Sequence, residues 1–205
     1  MKVFDNSFLC SDVKYLAGID EAGRGPLAGP VVAASVIFSP DVCIEGVNDS
    51  KLLDEQTREE LYNIIIDKAL CWSAHVIEHV EIDRINILQA SLRAMKRSCE
   101  DLSIVPDLAI VDGNKIFYSK IRCLPIIDGD AKSFAIAAAS IIAKVTRDRL
   151  MVEHAKQYPV YMWEKNKGYA TREHIDALKL YGPCELHRKT FLRNIFEVQD
   201  EFQFD

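Results

Sequence analysis

Residues Gly18–Pro30, GIDEAGRGPLAGP, set two adjacent carboxylates, Asp20 and Glu21, against a glycine-rich turn within thirteen residues. Before them Tyr15, Leu16, Ala17 and Ile19 form a short apolar run; after them Val31 to Phe38 is apolar and rich in β-branched residues. This pattern predicts a hairpin with the glycines in its turn, so Asp20 and Glu21 lie where a strand stops. An adjacent acidic pair is ordinarily solvated surface, but here the flanks are apolar. Carboxylates entering a buried strand are costly unless paired or metal-bound, which favours a site for a hard cation. Glycines at 23, 25 and 29 permit positive φ and a close approach of another molecule to the backbone; a tight turn and nothing more is the alternative.

Outward from this segment, Leu53 to Ala69 has apolar residues at Leu61, Ile64, Ile65 and Ala69 and fits an amphipathic helix with Asp54 as its cap. Cys71 to Ile77 reads as a strand, and Ile87 to Cys99 as the next helix. Leu108 to Val111 is a buried strand ending at Asp112, and Leu124 to Ile127 is a further short strand. A long helix rich in small residues follows from about Ser133 to Gln157, and from about residue 160 onward the chain is expected to be helical and looped. A hairpin followed by strands alternating with helices implies an α/β layered sheet.

The 205 residues suffice for one substantial core, and no Gly/Ser/Pro-rich linker divides them, so a single domain spanning residues 1–205 is expected. No stretch approaches the length needed to span a bilayer, and MKVFDNSFLC lacks the charged start and apolar core of a secretion signal, so a cytosolic protein is expected. Six scattered cysteines without a close pair read as reduced core thiols. The net charge of −6 argues against a nucleic-acid partner, but it is unevenly placed. Residues 142–193 hold eleven Lys/Arg against six Asp/Glu, and residues 194–205 hold four acids and no Lys/Arg. A basic half before an acidic tail is compatible with binding a polyanion, although such runs are often merely solvated faces.

The opening segment resembles the N-terminal signature of ribonuclease HII, which cuts the RNA part of RNA/DNA duplexes. The resemblance continues through NDSK at Asn48–Lys51, VDGN at Val111–Asn114, AASIIAKVTRDR at Ala138–Arg149 and KGYAT at Lys167–Thr171, and so spans nearly the whole chain. It implies a ribonuclease H-like fold, a central mixed sheet flanked by helices with a helical C-terminal extension. It also implies a metal-dependent endoribonuclease acting on RNA/DNA hybrids and on ribonucleotides embedded in duplex DNA, leaving 5′-phosphate and 3′-hydroxyl ends, and expected to be monomeric. The sister type, ribonuclease HIII, is the nearest alternative; its usual extra N-terminal domain does not fit in the few residues before Asp20.

By this resemblance the catalytic, metal-holding residues are Asp20, Glu21, Asp112 and Asp130. Asp20 and Asp112 both end apolar strands; if those strands are parallel neighbours, both carboxylates emerge at one end of the sheet, where open α/β sheets build their sites. An all-oxygen set without an obvious His or Cys favours Mg²⁺ or Mn²⁺ over zinc. Asp130 lies in IIDGDA, where relatives usually carry Lys at the position of Asp128; Asp130 is preferred by its spacing, and Asp128 is the alternative. Asp49 and Asp148 read as turn caps or salt-bridge partners. Gly23, Arg24 and Gly25 match the turn that in the family grips the ribonucleotide at its 2′-hydroxyl, and Arg24 reads equally as a plain phosphate anchor. Tyr169 matches a tyrosine that stacks on the sugar beside the scissile position, with simple packing as the alternative. Lys51, Lys144 and Lys167 are candidate phosphate contacts or solvated lysines. Asn166 stands where relatives often have His.

One competing pattern is His75-Val76-Ile77-Glu78-His79, the H-x-x-E-H order of an inverted zinc-peptidase motif. Zinc chemistry there requires a helix, whereas Cys71 to Val80 reads as a strand running into a turn, which separates the histidines. A non-catalytic nucleic-acid-binding module accounts for the basic half but leaves acids at apolar strand ends unexplained.

Overall fold

The computed structural model describes residues 1–48, 50 and 53–196; Asp49, Lys51 and the acids of the tail from Glu197 onward lie outside the described residues. β1 (Leu16–Ala22) and β2 (Val31–Ile37) form the expected antiparallel hairpin. β3 (Cys71–Ile77) adds antiparallel to β2, and β4 (Leu108–Asp112) and β5 (Cys123–Ile126) add in parallel beyond β1, giving the order β3-β2-β1-β4-β5. Ile19 is the last β1 residue paired with β4, opposite Val111, so Asp20 and Asp112 follow side by side at the same end. This is the juxtaposition the sequence expectation requires. β4 stops at Asp112, whereas β1 runs on to Ala22 paired with β2, two residues beyond the expected strand end at Asp20.

Alternation decides which helix covers which face, because successive strand residues point to opposite sides. Ala17, Ile19, Ala33 and Ile37 pack with Ala90, Ala94 and Met95 of α4 (Ile87–Glu100), while Ala34 and Val36 join Ala138, Ile141 and Ile142 of α6 (Phe134–Gln157). Ser35, the polar member of β2, shares a buried hydrogen bond of 2.7 Å with Ser98 of α4. α2 (Glu55–Lys68) packs beside α6 and starts where expected, the Asp54 carboxylate accepting the Thr57 N–H at 2.7 Å. At Gly18 α6 crosses β1 so closely that a Cβ there would lie 2.2 Å from the Ala135 carbonyl carbon.

Three short helices depart from the sequence reading. α1 (Lys2–Asn6) brings Asp5 to the start of α6, where it accepts the Ala135 N–H at 2.9 Å. α3 (His79–Ile85) begins where only a turn was expected, and α5 (Gly129–Lys132) precedes α6 and is separated from it by Ser133. The cysteine expectation also needs correction: Cys71 and Cys99 are buried, and Cys123 and Cys184 partly so, but Cys10 and Cys43 are exposed, because both lie in loops off the sheet. No helix among the described residues is long and apolar enough to cross a membrane.

The C-terminal part is helical and looped as expected: a 3-10 turn (Pro159–Tyr161), then α7 (Trp163–Asn166), α8 (Arg172–Tyr181) and α9 (Lys189–Phe196). Its core is aromatic. Trp163 is fully buried, stacks on Tyr161 at 5.2 Å and donates its indole N–H to Nε2 of His174 at 3.1 Å. The Tyr169 carbonyl lies 2.9 Å from His174 Nδ1, which puts the ring proton on Nδ1 and leaves Nε2 to accept from both Trp163 and His187 Nε2, 3.1 Å away. His187 Nδ1 then accepts the Cys184 N–H at 3.0 Å, so both rings are neutral.

Burial, reinforced by His174, pushes His187 down to about 4, and burial lowers His174 as well. Unfolded histidines take up protons near 6.5, so between there and pH 4 the unfolded chain binds more protons than the folded one. Stability is therefore lost as pH falls through this window. We expect the urea-unfolding free-energy gap between wild type and His187→Gln to shrink by about 2 kcal/mol from pH 7 to pH 4.5. A gap that stays constant refutes the buried neutral pair.

Candidate active site

Asp20, Asp112 and Asp130 each offer a carboxylate oxygen, and these oxygens all lie within 4.8 Å of one another. Three elements bring them together: the end of β1, the end of β4 and the short α5. Asp20 is 5% exposed and faces α6, where the Ser140 hydroxyl bonds its carboxylate. Asp112 Oδ1 accepts the Gly129 N–H at 2.7 Å, which ties the α5 turn to the β4 terminus. Gly129 has to be small there, since a Cβ would meet Ile136 Cδ1 at 2.6 Å and Asp112 Oδ1 at 3.0 Å.

Of the two alternatives in IIDGDA, Asp130 joins the group and Asp128 does not. Asp128 takes a left-handed conformation with φ 53°, is exposed, and makes no capping bond to α5 with its side chain. Glu21, on the opposite face of β1 from Asp20, lies outside the three-oxygen group but lines the same cavity of about 440 Å³. Its carboxylate is held 3.2 Å from Arg24 Nη1.

Burial raises the Asp20 carboxyl well above the usual carboxylate range, and the charges of Glu21 and Asp112 raise it further. Glu21 is raised too, first by burial, with Arg24 opposing. Several negative charges held so close in a partly dry site disfavour one another. An all-oxygen set of this kind suits a hard divalent cation, whose charge lets every carboxylate ionise.

The cavity brings together most of the other sequence-predicted residues. Gly23, Arg24 and Gly25 line one wall, with Lys144 and Tyr169 beside them. The Lys144 ammonium lies 2.8 Å from Asp148, the expected salt-bridge partner, and 5.5 Å from the Tyr169 ring centroid. Tyr169 is 39% exposed and so remains accessible from the cavity it lines. Lys167 is placed differently: it is 7% exposed, and its amine is bonded to the Glu164 carbonyl and lies 3.2 Å from Glu55, away from the cavity lining. A phosphate contact by Lys167 requires breaking both. Asn166 closes the α7 turn, its side chain donating to the Tyr161 carbonyl at 2.8 Å and accepting the Gly168 N–H at 2.9 Å.

Several lining residues escaped the sequence reading. Ser50 and Ser140 share a buried bond of 2.8 Å, and Arg58 reaches the cavity from α2 while donating to the Ser50 carbonyl at 3.0 Å and to the Leu53 carbonyl. Ser140 stands four residues before Lys144 on one helix, a spacing that does signal a shared face. Arg58 gave no signal, being one cation on a charged helix. The zinc-peptidase pattern is broken as expected: His75 lies on β3 with Nδ1 3.1 Å from Asp101, whereas His79 opens α3. Among the described residues, the three aspartates are the one group arranged to hold a metal.

The description of the family model that matches residues 17–198 is ribonuclease HII. The chain is 50% identical over 194 residues to the ribonuclease HII of Acetivibrio thermocellus, covering 95% of this chain and 76% of that one. It is 53% identical over 189 residues to the ribonuclease HII of Endomicrobium trichonymphae, covering 92% and 90%. Among solved structures it is similar to ribonuclease H2 from Pyrococcus horikoshii OT3, at 29% identity and a TM-score of 0.74, with 90% of this chain and 98% of that one covered. The fold, the strand-end carboxylates and these matches, running from β1 to the last helix, agree: the chain belongs to the ribonuclease HII family and is an endonuclease of the ribonuclease H type.

Proposed function

We propose that the enzyme requires Mg²⁺ or Mn²⁺, hydrolyses the RNA strand of RNA/DNA hybrids, and cuts 5′ of ribonucleotides embedded in duplex DNA, leaving 5′-phosphate and 3′-hydroxyl ends. The observation that carries this reading is the cluster of three carboxylate oxygens within 4.8 Å, two of whose residues, Asp20 and Asp112, line the same cavity as the glycine turn and Tyr169. Asp20, Asp112 and Asp130 would hold the metal, with Glu21 beside them at the cavity wall. Bound there, such ions supply activation of a water and stabilisation of the leaving oxygen in an in-line attack on phosphorus.

The chain's own residues do the positioning. Ser140 and the Gly129 N–H fix the Asp20 and Asp112 carboxylates before substrate arrives. Gly25 has open space on the side a Cβ would occupy, its nearest neighbour being Tyr169 Cε1 at 3.8 Å, so its backbone can meet a 2′-hydroxyl. The Tyr169 ring supports the adjoining sugar. Lys144, and Lys51 from the NDSK segment, neutralise flanking phosphates, and Arg24 contributes from the turn.

The test is a DNA duplex with one ribonucleotide, incubated with Mg²⁺, Mn²⁺, Zn²⁺ or chelator. One cut 5′ of the ribonucleotide is expected with Mg²⁺ or Mn²⁺ and none with chelator; undiminished cleavage in chelator, or equal cleavage of an all-DNA duplex, sinks the reading. In the same assay Asp130→Asn should lose at least about 100-fold in rate and Asp128→Asn less than about threefold, since only the former removes a charge from the cluster. The reverse order overturns the assignment of the fourth carboxylate.

A further inference from the structure

Beneath the glycine loop lie two arginines that are both fully buried, Arg147 of α6 and Arg188 just before α9. Their partners are backbone carbonyls. Arg188 donates Nη2 to Gly23 O at 2.7 Å and to Pro30 O at 3.0 Å, Nη1 to Arg24 O at 3.1 Å, and Nε to Gly29 O at 2.9 Å. Arg147 donates Nε to Pro30 O at 2.9 Å, Nη2 to Ala28 O at 3.2 Å, and Nη1 to Lys167 O at 3.0 Å, with its guanidinium 5.6 Å from the Tyr169 ring centroid. The backbone adds its own stitches: Leu27 N–H to Gly168 O at 2.8 Å, Arg188 N–H to Leu27 O at 2.8 Å, and Gly29 N–H to Leu186 O at 2.9 Å.

Three segments distant in sequence, 23–30, 167–169 and 186–188, are thereby joined, and two of them carry the groups assigned to the ribonucleotide. Burying two neighbouring cations is costly, and a planar fork of five donors is the side chain able to satisfy several carbonyls at fixed angles in return. The contact also explains one glycine. At Gly23, with φ 98°, a Cβ would sit 2.1 Å from Arg147 Nε, so what approaches that position closely is this chain's own arginine. Gly25 remains the turn glycine that faces open space.

We propose that Arg188 and Arg147 are positioning residues for ribonucleotide recognition, fixing the Gly23–Gly25 backbone relative to Tyr169 without touching substrate. This rests on the substrate reading above. A lysine at either position keeps the charge but loses the fork, so the loop holds together while its alignment with Tyr169 loosens.

The experiment is single-turnover cleavage of a duplex with one embedded ribonucleotide, at saturating enzyme with Mg²⁺, for wild type, Arg188→Lys and Arg147→Lys. Duplex affinity is measured separately in chelator. Each variant is expected to lose at least about tenfold in rate constant, with affinity within about threefold of wild type and reaction amplitude unchanged. A purely structural role lowers the amplitude through a misfolded fraction and spares the rate constant, and that result overturns the proposal. So does a rate loss matched by an equal loss of affinity, which marks the arginines as phosphate contacts. If Arg188→Lys does not fold, Arg147→Lys decides alone by the same criteria. Wild type that fails to cut this duplex removes the substrate reading itself, whereas wild-type cleavage with full-rate variants removes only the role given to the arginines.

Discussion

Asp112→Asn is expected to lower the single-turnover rate by at least about three orders of magnitude, roughly 4 kcal/mol of barrier, while duplex affinity changes by less than about threefold. The replacement is nearly isosteric. The Asn oxygen can still accept the Gly129 N–H, now 2.7 Å from Asp112 Oδ1, so the link between β4 and α5 survives and only the charge is lost. That charge helps push the Asp20 carboxyl up, so without metal the variant should be the more stable protein. Melting temperature in chelator should therefore rise, while the further rise that wild type gains from Mg²⁺ or Mn²⁺ should disappear, because stabilisation by a ligand tracks its binding to the folded state. Near-normal turnover, or an undiminished metal-induced rise, removes Asp112 from the metal site.

Gly18→Ala is expected to cost about 3 kcal/mol or more, a fall of roughly 6–12 °C in melting temperature. A Cβ at Gly18 would stand 2.2 Å from Ala135 C and 2.5 Å from both Ala135 O and Ile136 N. These are helix backbone atoms that no rotamer change can move, so α6 would have to lift off β1. Gly25→Ala is the control, since its Cβ meets only Tyr169 Cε1 at 3.8 Å. Its melting temperature should stay close to wild type. If Gly18→Ala melts with the control, α6 is not seated on β1 as described.

Much of this arrangement was legible in the chain because its signals are local. Apolar runs that stop at Asp20 and Asp112 marked the end of β4 and the point where β1, which runs on to Ala22, loses its parallel partner, and Asp54 and Ser133 marked two helix starts. The parallel pairing of β1 with β4 then follows from topology and brings the carboxylates together. What stayed hidden depends on contacts distant in sequence. Eleven Lys/Arg within residues 142–193 read as a basic face, but Arg147, Lys167 and Arg188 are buried among carbonyls and acids supplied by other parts of the chain. Nor did His174 and His187 announce a neutral pair, since that depends on Trp163 and the Tyr169 carbonyl meeting them in space. The α5 turn was illegible because it hinges on left-handed Asp128, a conformation that side chains other than Gly seldom signal.

The longest helix has the character of a ruler. Over 24 residues, about 36 Å, α6 meets Gly18 of β1 with Ala135 and Ile136, reaches Asp20 with Ser140, faces the cavity with Lys144, underpins the glycine loop with Arg147, and fills the hollow beside Gly29 and Gly168 with Met151. Steps of four, three and four from Ser140 through Lys144 and Arg147 to Met151 keep these side chains on one stripe. The number of residues between the marks matters as much as the marks themselves. One residue added between Ser140 and Arg147 would swing every later mark by about 100° around the axis, parting the loop's anchor from the carboxylates' anchor even with each side chain intact.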